Sequence, residues 1–474
     1  MSVQSSVLTG GMPLRPTRAL PFRLIPRIET YPGVVSLVQT IPGKAALLAV
    51  FGLLYAWTNP SALPLVLCLA LVTWTPVRRH QLITVSTVIF AIVVPWARLA
   101  QPVYNASLIM GVLALAAVLI WRASARPKSW FGRQPATIML AGFATWSTVI
   151  SLVPWHIFRL APVWDFTIIF GSYIWFIAYV LVDRQAEPVS RFGLEIGFLR
   201  PFWGVLPTPL PNGTAYLRQI EAKNAEELAI TQLKGLKLLS WAALITVFSR
   251  VFVYFFHGYL RLPYFATTLA MSAHGAPAPW FVCWASLILH FLENVMAGAI
   301  LGHRIIACCR MAGFDALRNM YRPLSSVTVA EFFNRYYFYY KELLVTFFFF
   351  PIFLRQSSRF PKLRLGISIF AAACFGNVFF HFIRELLYIH DFGLWNAIKT
   401  FQVFFFYCVV LATAITISRL RKRKPLPAGF FRGTLRPALS VCFFYCLLSI
   451  FALTDREYPL VEHLRFLGHL FFIN

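Results

Sequence analysis

The sequence predicts an all-α polytopic membrane protein with about eleven transmembrane helices, and three observations support this. Apolar residues make up 59% of the 474 residues and charged residues only 13%, whereas a soluble domain carries about 25% charged residues. Apolar runs long enough to cross a bilayer as helices recur along the chain. Lys and Arg cluster between alternate runs, as they do in membrane proteins with a fixed orientation.

The apolar runs place the transmembrane helices along the chain. Eleven spans are predicted, at 45–58, 61–77, 82–98, 105–121, 136–153, 166–182, 235–258, 278–301, 365–388, 398–418 and 437–453. A further apolar run, LLVTFFFFPIFL at 343–354, is shorter and contains Pro351. It falls well below the roughly 20 residues of a spanning helix. We therefore predict a re-entrant segment that enters the membrane and returns to the same side.

The basic residues predict a cytoplasmic N-terminus. With eleven single crossings, 34 of the 43 Lys and Arg residues fall on the side of the N-terminus and seven on the other side. Cytoplasmic loops carry this kind of excess. The same rule accounts for the net charge of +26. Nucleic-acid binding would need a soluble basic face, and the sequence offers no soluble domain to carry one, so no nucleic-acid partner is expected.

One membrane domain is expected to cover most of the chain. Residues 1–44 form a cytoplasmic N-terminal arm, and residues 45–474 form the transmembrane domain. Residues 183–234 form a long cytoplasmic loop, in which AYLRQIEAKNAEELAITQLKG is amphipathic and is expected to be a solvated helix before the next span. No internal repeat stands out, which argues against the inverted-repeat transporters.

Ionisable side chains at membrane depth are costly and mark functional sites. The segment CFGNVFFHFIRELLYIH (374–390) spaces Asn377, His381 and Glu385 at i, i+4 and i+8, on one face of a helix. His381 falls roughly sixteen residues into its predicted span, about 24 Å. A neutral imidazole there could be oriented by Asn377 or Glu385 and could accept a proton from a hydroxyl. Taken alone, a histidine hydrogen-bonded inside the bundle is the more common case.

A second group of polar residues precedes the short apolar run. The segment EFFNRYYFYYKE (331–342) holds Asn334, Arg335, Lys341 and Glu342 among aromatic residues. Taken alone, it fits equally well an interfacial aromatic belt whose charged side chains reach the headgroups.

Together, the two regions resemble the central signature of the membrane-bound O-acyltransferase superfamily, nearest its bacterial polysaccharide-acetylating branch. The resemblance covers 311–390 and is carried by Gly313-Phe314, Arg322-Pro323, Ser326, Phe332-Phe333, Arg335-Tyr336, Pro351 and Phe380-His381. It implies that His381 is the catalytic base. The second polar residue of the family pattern falls here on Tyr337, so that role stays open between Asn334, Tyr337 and Glu342. Phe or Tyr replaces the tryptophans of the family pattern, as in a divergent member.

The resemblance also implies a reaction and its participants. An acyl group, acetyl in the nearest branch, would pass from acyl-CoA to a hydroxyl of a glycan, lipid or small-molecule acceptor. Acyl-CoA would be a co-substrate, and neither a bound cofactor nor a metal is implied. Arg335, Lys341, Asn377 and Glu385 are the candidate substrate-binding residues. The expected partners are membrane lipid and an accessory acyl-handling protein, and the expected location is a bacterial inner membrane.

Two other functions stay open from the residues themselves. One is a proton-coupled transporter or flippase that uses a histidine to relay protons, and the other is a membrane subunit without catalysis. His290, Glu293 and Asn294 on the predicted eighth span, with His303 just past it, form a further polar set. Hydrogen bonds between helices are its favoured role, since its spacing matches no familiar zinc motif.

Overall fold

The fold is entirely helical wherever it is described. The computed structural model describes residues 24–58, 63–98, 101–153, 161–186, 192–204, 206–355, 359–421, 429–452 and 457–473. The first 23 residues of the predicted N-terminal arm lie outside this part. Within it there is no β-strand, and β pairing is limited to isolated bridge residues, such as Glu221 and Phe314, which bridge each other. The predicted all-α class is therefore confirmed.

The helices follow one another with short connections. The first half contains α1 (Pro32–Gln39), α2 (Ile41–Thr58), α3 (Leu63–Trp74), α4 (Arg79–Arg98), α5 (Pro102–Ala125), α6 (Pro135–Leu152), α7 (Ala161–Ala186), α8 (Phe192–Leu199) and α9 (Ala225–Val253). The second half contains α10 (Phe265–Ala273), α11 (Trp280–Met311), α12 (Val329–Tyr336), α13 (Phe338–Arg355), α14 (Pro361–Arg384), α15 (Leu386–Phe392), α16 (Leu394–Leu420), α17 (Phe431–Phe451) and α18 (Leu460–Leu470). Several of these helices include π-helical turns, among them Val345–Phe349 in α13 and Ala371–Gly376 in α14.

Nine helices of the described residues are long and apolar enough to cross a membrane. They are α2, α5, α6, α7, α9 (continued to Tyr259), α11, α14, α16 and α17, and each coincides with one predicted span. The other two predicted spans correspond to α3 and α4. Helix α3 has 12 residues, or about 18 Å, which is too short to cross alone. Helix α4 has 20 residues, which is long enough to cross, but it is not among these nine helices.

Local sequence signals set where several helices begin. Pro102, Pro135 and Pro361 each open a helix, where the fixed φ of proline suits the first turn and its missing N–H costs nothing. Asn224 caps α9, because its side chain accepts a hydrogen bond from the Glu227 N–H at 2.8 Å. This cap places a helix start inside the stretch predicted as one solvated helix.

The prediction of a single solvated helix before α9 was wrong. The stretch consists of a short helix, Thr214–Gln219, a break, and the first turns of α9. Leu228 and Leu233 in those first turns are buried. Burial of these leucines against the bundle stabilises the arrangement more than solvation of an amphipathic surface helix would.

The segments that connect the helices meet at two ends of the bundle. Segments that the charge pattern predicts to be on the same side of the membrane contact one another. At one end, Arg79 forms an ion pair with Glu221 at 3.0 Å, and both lie in segments predicted to be cytoplasmic. At the other end, His469, in a segment predicted to be outside, hydrogen-bonds at 2.9 Å to the carbonyl of Ala278, the first residue of the predicted span that follows an outer segment. The grouping agrees with the prediction, and which end faces the cytoplasm stays a prediction.

The predicted re-entrant segment lies in a sharply bent helix pair. Helices α12 and α13 meet at 107° with Tyr337 between them. A bend of this size belongs to a broken span or to a re-entrant loop. At the far end of α13, Arg355 donates a hydrogen bond to Gln134 at 2.7 Å. Gln134 adjoins a loop predicted to be cytoplasmic, so this contact favours the re-entrant form.

Candidate functional site

His381 lies near the far end of a membrane-spanning helix. Helix α14 begins at Pro361, four residues before the predicted start. His381 is therefore twenty residues into the helix, or about 30 Å at 1.5 Å per residue, and one turn from its end at Arg384. A π-helical turn ends at Gly376, just before this stretch. Such turns occur frequently at functional sites.

Aromatic rings surround the imidazole of His381. The centroid of its ring lies 4.4 Å from that of Phe404, 5.4 Å from Phe380 and 6.1 Å from Tyr340. The side chain is half-buried. Among the described residues, no group forms a hydrogen bond with either ring nitrogen. Ring packing therefore sets the position of the imidazole, while both nitrogens are left for a ligand.

Asn377 orients a tyrosine rather than the histidine. Its side-chain oxygen accepts a hydrogen bond from the Tyr340 hydroxyl at 2.6 Å, and the Asn377 side chain is buried. The Tyr340 ring also packs at 4.8 Å from Phe380. Tyr340 thus joins the bent helix pair to the helix of His381. Sequence reasoning missed Tyr340, because no local signal connects it with a residue 37 positions away.

Glu385 does not share a continuous helix face with Asn377 and His381. Helix α14 ends at Arg384, and Glu385 follows with φ −94° and ψ 7°. The Glu385 N–H donates to the carbonyl of Phe382 at 3.0 Å, a tighter turn than an α-helix makes. The predicted i, i+8 relation therefore fails at the junction between α14 and α15, where the Glu385 side chain is buried.

Tyr337 is the candidate second residue that the fold brings toward this end of α14. It separates α12 from α13, and its ring lies 4.5 Å from that of Tyr336. On α11, a β-carbon at Gly298 would lie only 3.0 Å from the Tyr337 hydroxyl, so the absence of a side chain there makes room for it. Arg384 lies close enough to interact electrostatically with both His381 and Tyr337.

The other two candidates have no described link to His381. Asn334 lies half-buried on α12, and Glu342 on α13 forms an ion pair with Lys341. Neither forms a hydrogen bond or ion pair with His381 in the described part of the chain. Among the three candidates, the geometry therefore favours Tyr337.

The two cationic residues among the predicted substrate-binding residues, Arg335 and Lys341, are engaged in pairs within the protein. The Arg335 guanidinium pairs with Glu331 at 2.6 Å and donates to the Ser325 hydroxyl at 2.9 Å. Lys341 pairs with Glu342 and lies 4.9 Å above the ring of Phe338. A phosphate would have to compete with these partners, and the substrate-binding role of both residues stays a prediction.

The start of α12 explains why Arg335 is held so firmly. The Thr328 side chain accepts from the Glu331 N–H at 3.1 Å, and the Glu331 side chain accepts from the Val327 N–H at 2.8 Å. These bonds fix the first turn of the helix much as a capping box does, except that Glu331 accepts from Val327, one residue before the N-cap. Glu331 then also pairs with Arg335 one turn later. The charged residues of 331–335 therefore stabilise the bent pair.

The polar set on α11 forms separate pairs. Glu293 pairs with His257 at 2.8 Å, and His290 contacts Asn294, one turn along the same helix, at 2.9 Å. His303 is buried further along α11. In the described part of the chain, no three His, Cys, Asp or Glu side chains are grouped so that they could hold a metal ion.

Two cavities lie away from His381. One of about 290 Å³ is lined by Glu29, Lys234, Lys237, Arg310, Asp315, Leu317 and Arg318. The other, of about 260 Å³, is lined by apolar side chains of Phe252, Phe256, Leu262, Ala285, Ile288, Leu289 and Leu292. The charged cavity is at the same end of the bundle as the Arg79–Glu221 ion pair, because the Ala222 N–H donates to the Gly313 carbonyl at 2.9 Å beside it.

Comparison of the sequence with protein-family models and with curated proteins finds no match. The chemistry of the site is therefore argued from its geometry. It offers a half-buried imidazole whose nitrogens form no hydrogen bond with the described residues, and an arginine one turn away that interacts electrostatically with both His381 and Tyr337.

Proposed function

We propose that this protein is a membrane-bound O-acyltransferase, in which His381 acts as the general base. It would move an acyl group, in the simplest case acetyl, from acyl-CoA to a hydroxyl of a glycan, lipid or small-molecule acceptor. The observation that carries the proposal is the imidazole at membrane depth without a hydrogen-bond partner among the described residues. Buried polar side chains normally satisfy their hydrogen-bonding groups within the protein, so an unbonded imidazole favours a ligand as its partner.

The proposed reaction is a direct acyl transfer. The acceptor hydroxyl attacks the thioester carbonyl carbon while one nitrogen of His381 takes the hydroxyl proton. A carbon–oxygen bond forms and the carbonyl oxygen carries the negative charge. When that intermediate collapses, the carbon–sulfur bond breaks, and the departing thiolate takes the proton from the imidazolium. The products are the acylated acceptor and the free thiol of CoA, with no oxidation or reduction.

Tyr337 and Arg384 are suited to stabilise the charge that develops on the carbonyl oxygen. A donor fixed near the reacting oxygen lowers the barrier without reorganisation, and removing one such donor costs about 10²–10³-fold in rate in enzymes that use them. Arg384 lies one turn from His381 at the end of α14 and interacts electrostatically with both His381 and Tyr337. Tyr340 is less suited to this task, because its hydroxyl already donates to Asn377.

The position of His381 sets how the two substrates would reach it. The acyl donor is anionic, and the end of the bundle predicted to be cytoplasmic carries most of the basic residues, which would attract it. His381 lies about 30 Å along α14 from Pro361 at that end, so the acyl group and its flexible linker would have to extend into the bundle. The acceptor would arrive from the other end or from the lipid.

The direct test is acyl transfer by the purified protein. With acetyl-CoA radiolabelled in its acetyl group, the wild-type protein should release label to water or to added hydroxyl acceptors. A His290→Gln variant should keep most of this activity, because His290 hydrogen-bonds to Asn294 on its own helix and packs against the ring of Phe265, neither of which belongs to the proposed site. Absence of label transfer with acetyl-CoA, longer acyl-CoA and a panel of acceptors would contradict the proposal.

A proton-coupled transporter is a second candidate, and one observation favours it. His257 hydrogen-bonds through one ring nitrogen to Glu293 at 2.8 Å and through the other to the Leu262 carbonyl at 2.7 Å. Ionisable pairs inside membrane proteins serve as proton relays. A transporter would need both His257 and His381, whereas the acyltransferase needs only His381. Equal losses of function in His257→Gln and His381→Gln would therefore favour transport.

A further inference from the structure

A charged cavity lies between the N-terminal segment and the start of the region that resembles the acyltransferases. Its walls come from the short helix at Ile28–Thr30, from α9, from the end of α11 and from the loop after α11. Four of its side chains are cations and two are carboxylates, as follows: Lys234, Lys237, Arg310 and Arg318 against Glu29 and Asp315. The cavity therefore carries an excess of two positive charges.

The two carboxylates neutralise specific lysines. Asp315 pairs with Lys234 at 2.5 Å and lies 3.7 Å from Arg310, whose guanidinium also donates to the Ala316 carbonyl at 2.7 Å. Glu29 pairs with Lys237. These contacts assign a partner to every cation of the cavity except one.

Arg318 is the cation of the cavity that makes no hydrogen bond or ion pair with the described residues, although Glu29 attracts it electrostatically. Its side chain is half-buried. Placing an arginine partly out of water is costly unless it is paired and hydrogen-bonded, and the carboxylate that attracts it, Glu29, is bonded to Lys237 instead. A guanidinium presents several donors in a fixed fork that matches phosphate and carboxylate oxygens. An anion in the cavity would supply the missing partner.

Glu29 already acts as an internal anion in this cavity. One of its carboxylate oxygens bonds to Lys237, and the other is buried without a hydrogen bond. The residue is carried by a three-residue helix at the start of the described chain, so a small movement of this segment would free Lys237. An incoming anion would then compete with Glu29 for the same ammonium.

We propose that this cavity binds a phosphate group, with Arg318 as its principal contact and Lys237 as a second contact that exchanges Glu29 for the ligand. The volume of about 290 Å³ is at the lower limit of sites for drug-sized ligands. It therefore suits a phosphate with its adjoining atoms. The proposal is independent of the acyltransferase reaction.

Two sources could present this phosphate. A soluble phosphate ester would enter from the aqueous side. An anionic lipid headgroup would enter from the membrane surface, where Leu317 on the cavity wall and Leu37 on the nearby α1 are 53% and 56% exposed. Both sources offer the same phosphate oxygens, so the experiment must contain one arm for each.

The soluble arm measures pyrophosphate binding to the purified protein by calorimetry. Arg318→Gln should weaken binding by about 10–100-fold, the equivalent of one charged hydrogen bond or a bidentate pair. Glu29→Gln should strengthen it, because the competing carboxylate is gone. Lys223→Gln, which removes an exposed cation from the same end of the bundle, should leave it unchanged.

The lipid arm compares phosphatidylglycerol and phosphatidylcholine retained by wild-type protein and by Arg318→Gln in native mass spectrometry. Selective loss of phosphatidylglycerol in the variant, without pyrophosphate binding by the wild type, assigns the site to a lipid headgroup. Arg318→Lys keeps the charge and should give intermediate binding, and it replaces the Gln variant if that one does not fold. The proposal is overturned if Arg318 variants bind both probes as the wild type does, or if Lys223→Gln weakens binding equally.

Discussion

Replacing His381 with phenylalanine separates its packing from its chemistry. The imidazole contacts the rings of Phe404, Phe380 and Tyr340, and its nitrogens form no hydrogen bond with the described residues. A phenyl ring keeps the aromatic packing and cannot accept a proton. The variant should therefore lose catalysis while keeping the fold.

The expected magnitudes follow from these contacts. An exchange between aromatic side chains of similar size costs less than about 1.5 kcal/mol of unfolding free energy. His381→Gln should cost about 1–3 kcal/mol, because its amide would be left without partners in an aromatic environment. His381→Ala should cost roughly 2 kcal/mol, about half the loss for a fully buried aromatic ring. All three should lower the rate of acyl transfer by about 10²–10⁴-fold, since each removes the base.

Two measurements on the same preparations check this prediction. Thermal unfolding in detergent, followed by tryptophan fluorescence, should give melting temperatures in the order wild type, Phe, then Gln and Ala. Label transfer from acetyl-CoA should be lost in all three variants alike. The variant His290→Gln serves as a matched control, because it changes another half-buried histidine in the membrane region.

Either of two results would refute the reasoning. Transfer by His381→Phe at more than a tenth of the wild-type rate would show that His381 is a packing residue. A loss of stability larger in Phe than in Gln would show that the imidazole makes polar interactions that the aromatic contacts do not account for.

Three further predictions concern the fold around the site. Gly376→Ala should destabilise the protein by about 1–3 kcal/mol, because a β-carbon there would lie 2.5 Å from the Phe348 ring. Thermal unfolding checks this, and an unchanged melting temperature would contradict the close approach of α14 to α13 at this glycine. Cysteines introduced at Ser129 and Lys362 should react with an impermeant thiol reagent from the same side of the membrane; labelling from opposite sides would mean that the bent pair crosses it. Burial raises the pKa of Glu29, but its ion pair with lysine outweighs this and the net pKa lies below the ordinary 4.5. Its contribution to stability is thus complete above about pH 4.5 and is lost as the pH falls through the lowered value. The N-terminal segment should therefore lose protection against hydrogen exchange, measured relative to the intrinsic rate at each pH, as the pH of the wild type is lowered. A Glu29→Gln variant should lack that dependence.

The polar residues of the site show which of its features the helical spacing of the sequence can predict and which it cannot. The spacing of Asn377 and His381 correctly predicts that both lie on one helix, because the helical repeat is local. The same repeat fails at Glu385, because the helix ends at Arg384. That ending is not marked by glycine or proline, so the pattern contains no signal for it.

The charged residues of the bent pair show a different limit. The sequence identifies Arg335 and Lys341 as cations near a membrane-depth site, and they are predicted to bind substrate. Their actual partners, Glu331 and Glu342, are close in the chain, yet a sequence does not reveal which side chains of a dense charged segment will pair. Rotamers and the angle between the two helices decide this, and both depend on the surrounding packing.

The sequence by itself determined the membrane character, nine of the spans, the grouping of segments at the two ends and the place of the bent helix pair, whose re-entrant form stays a prediction. These features follow from local rules, because lipid requires long apolar helices and basic residues set the sidedness. Only the tertiary structure decided that Tyr340 holds Asn377, that Phe404 packs against His381, and that Arg318 enters a charged cavity without a hydrogen bond or ion pair to the described residues. These contacts join residues far apart in the chain, and their free energy depends on how separate helices pack rather than on any local pattern.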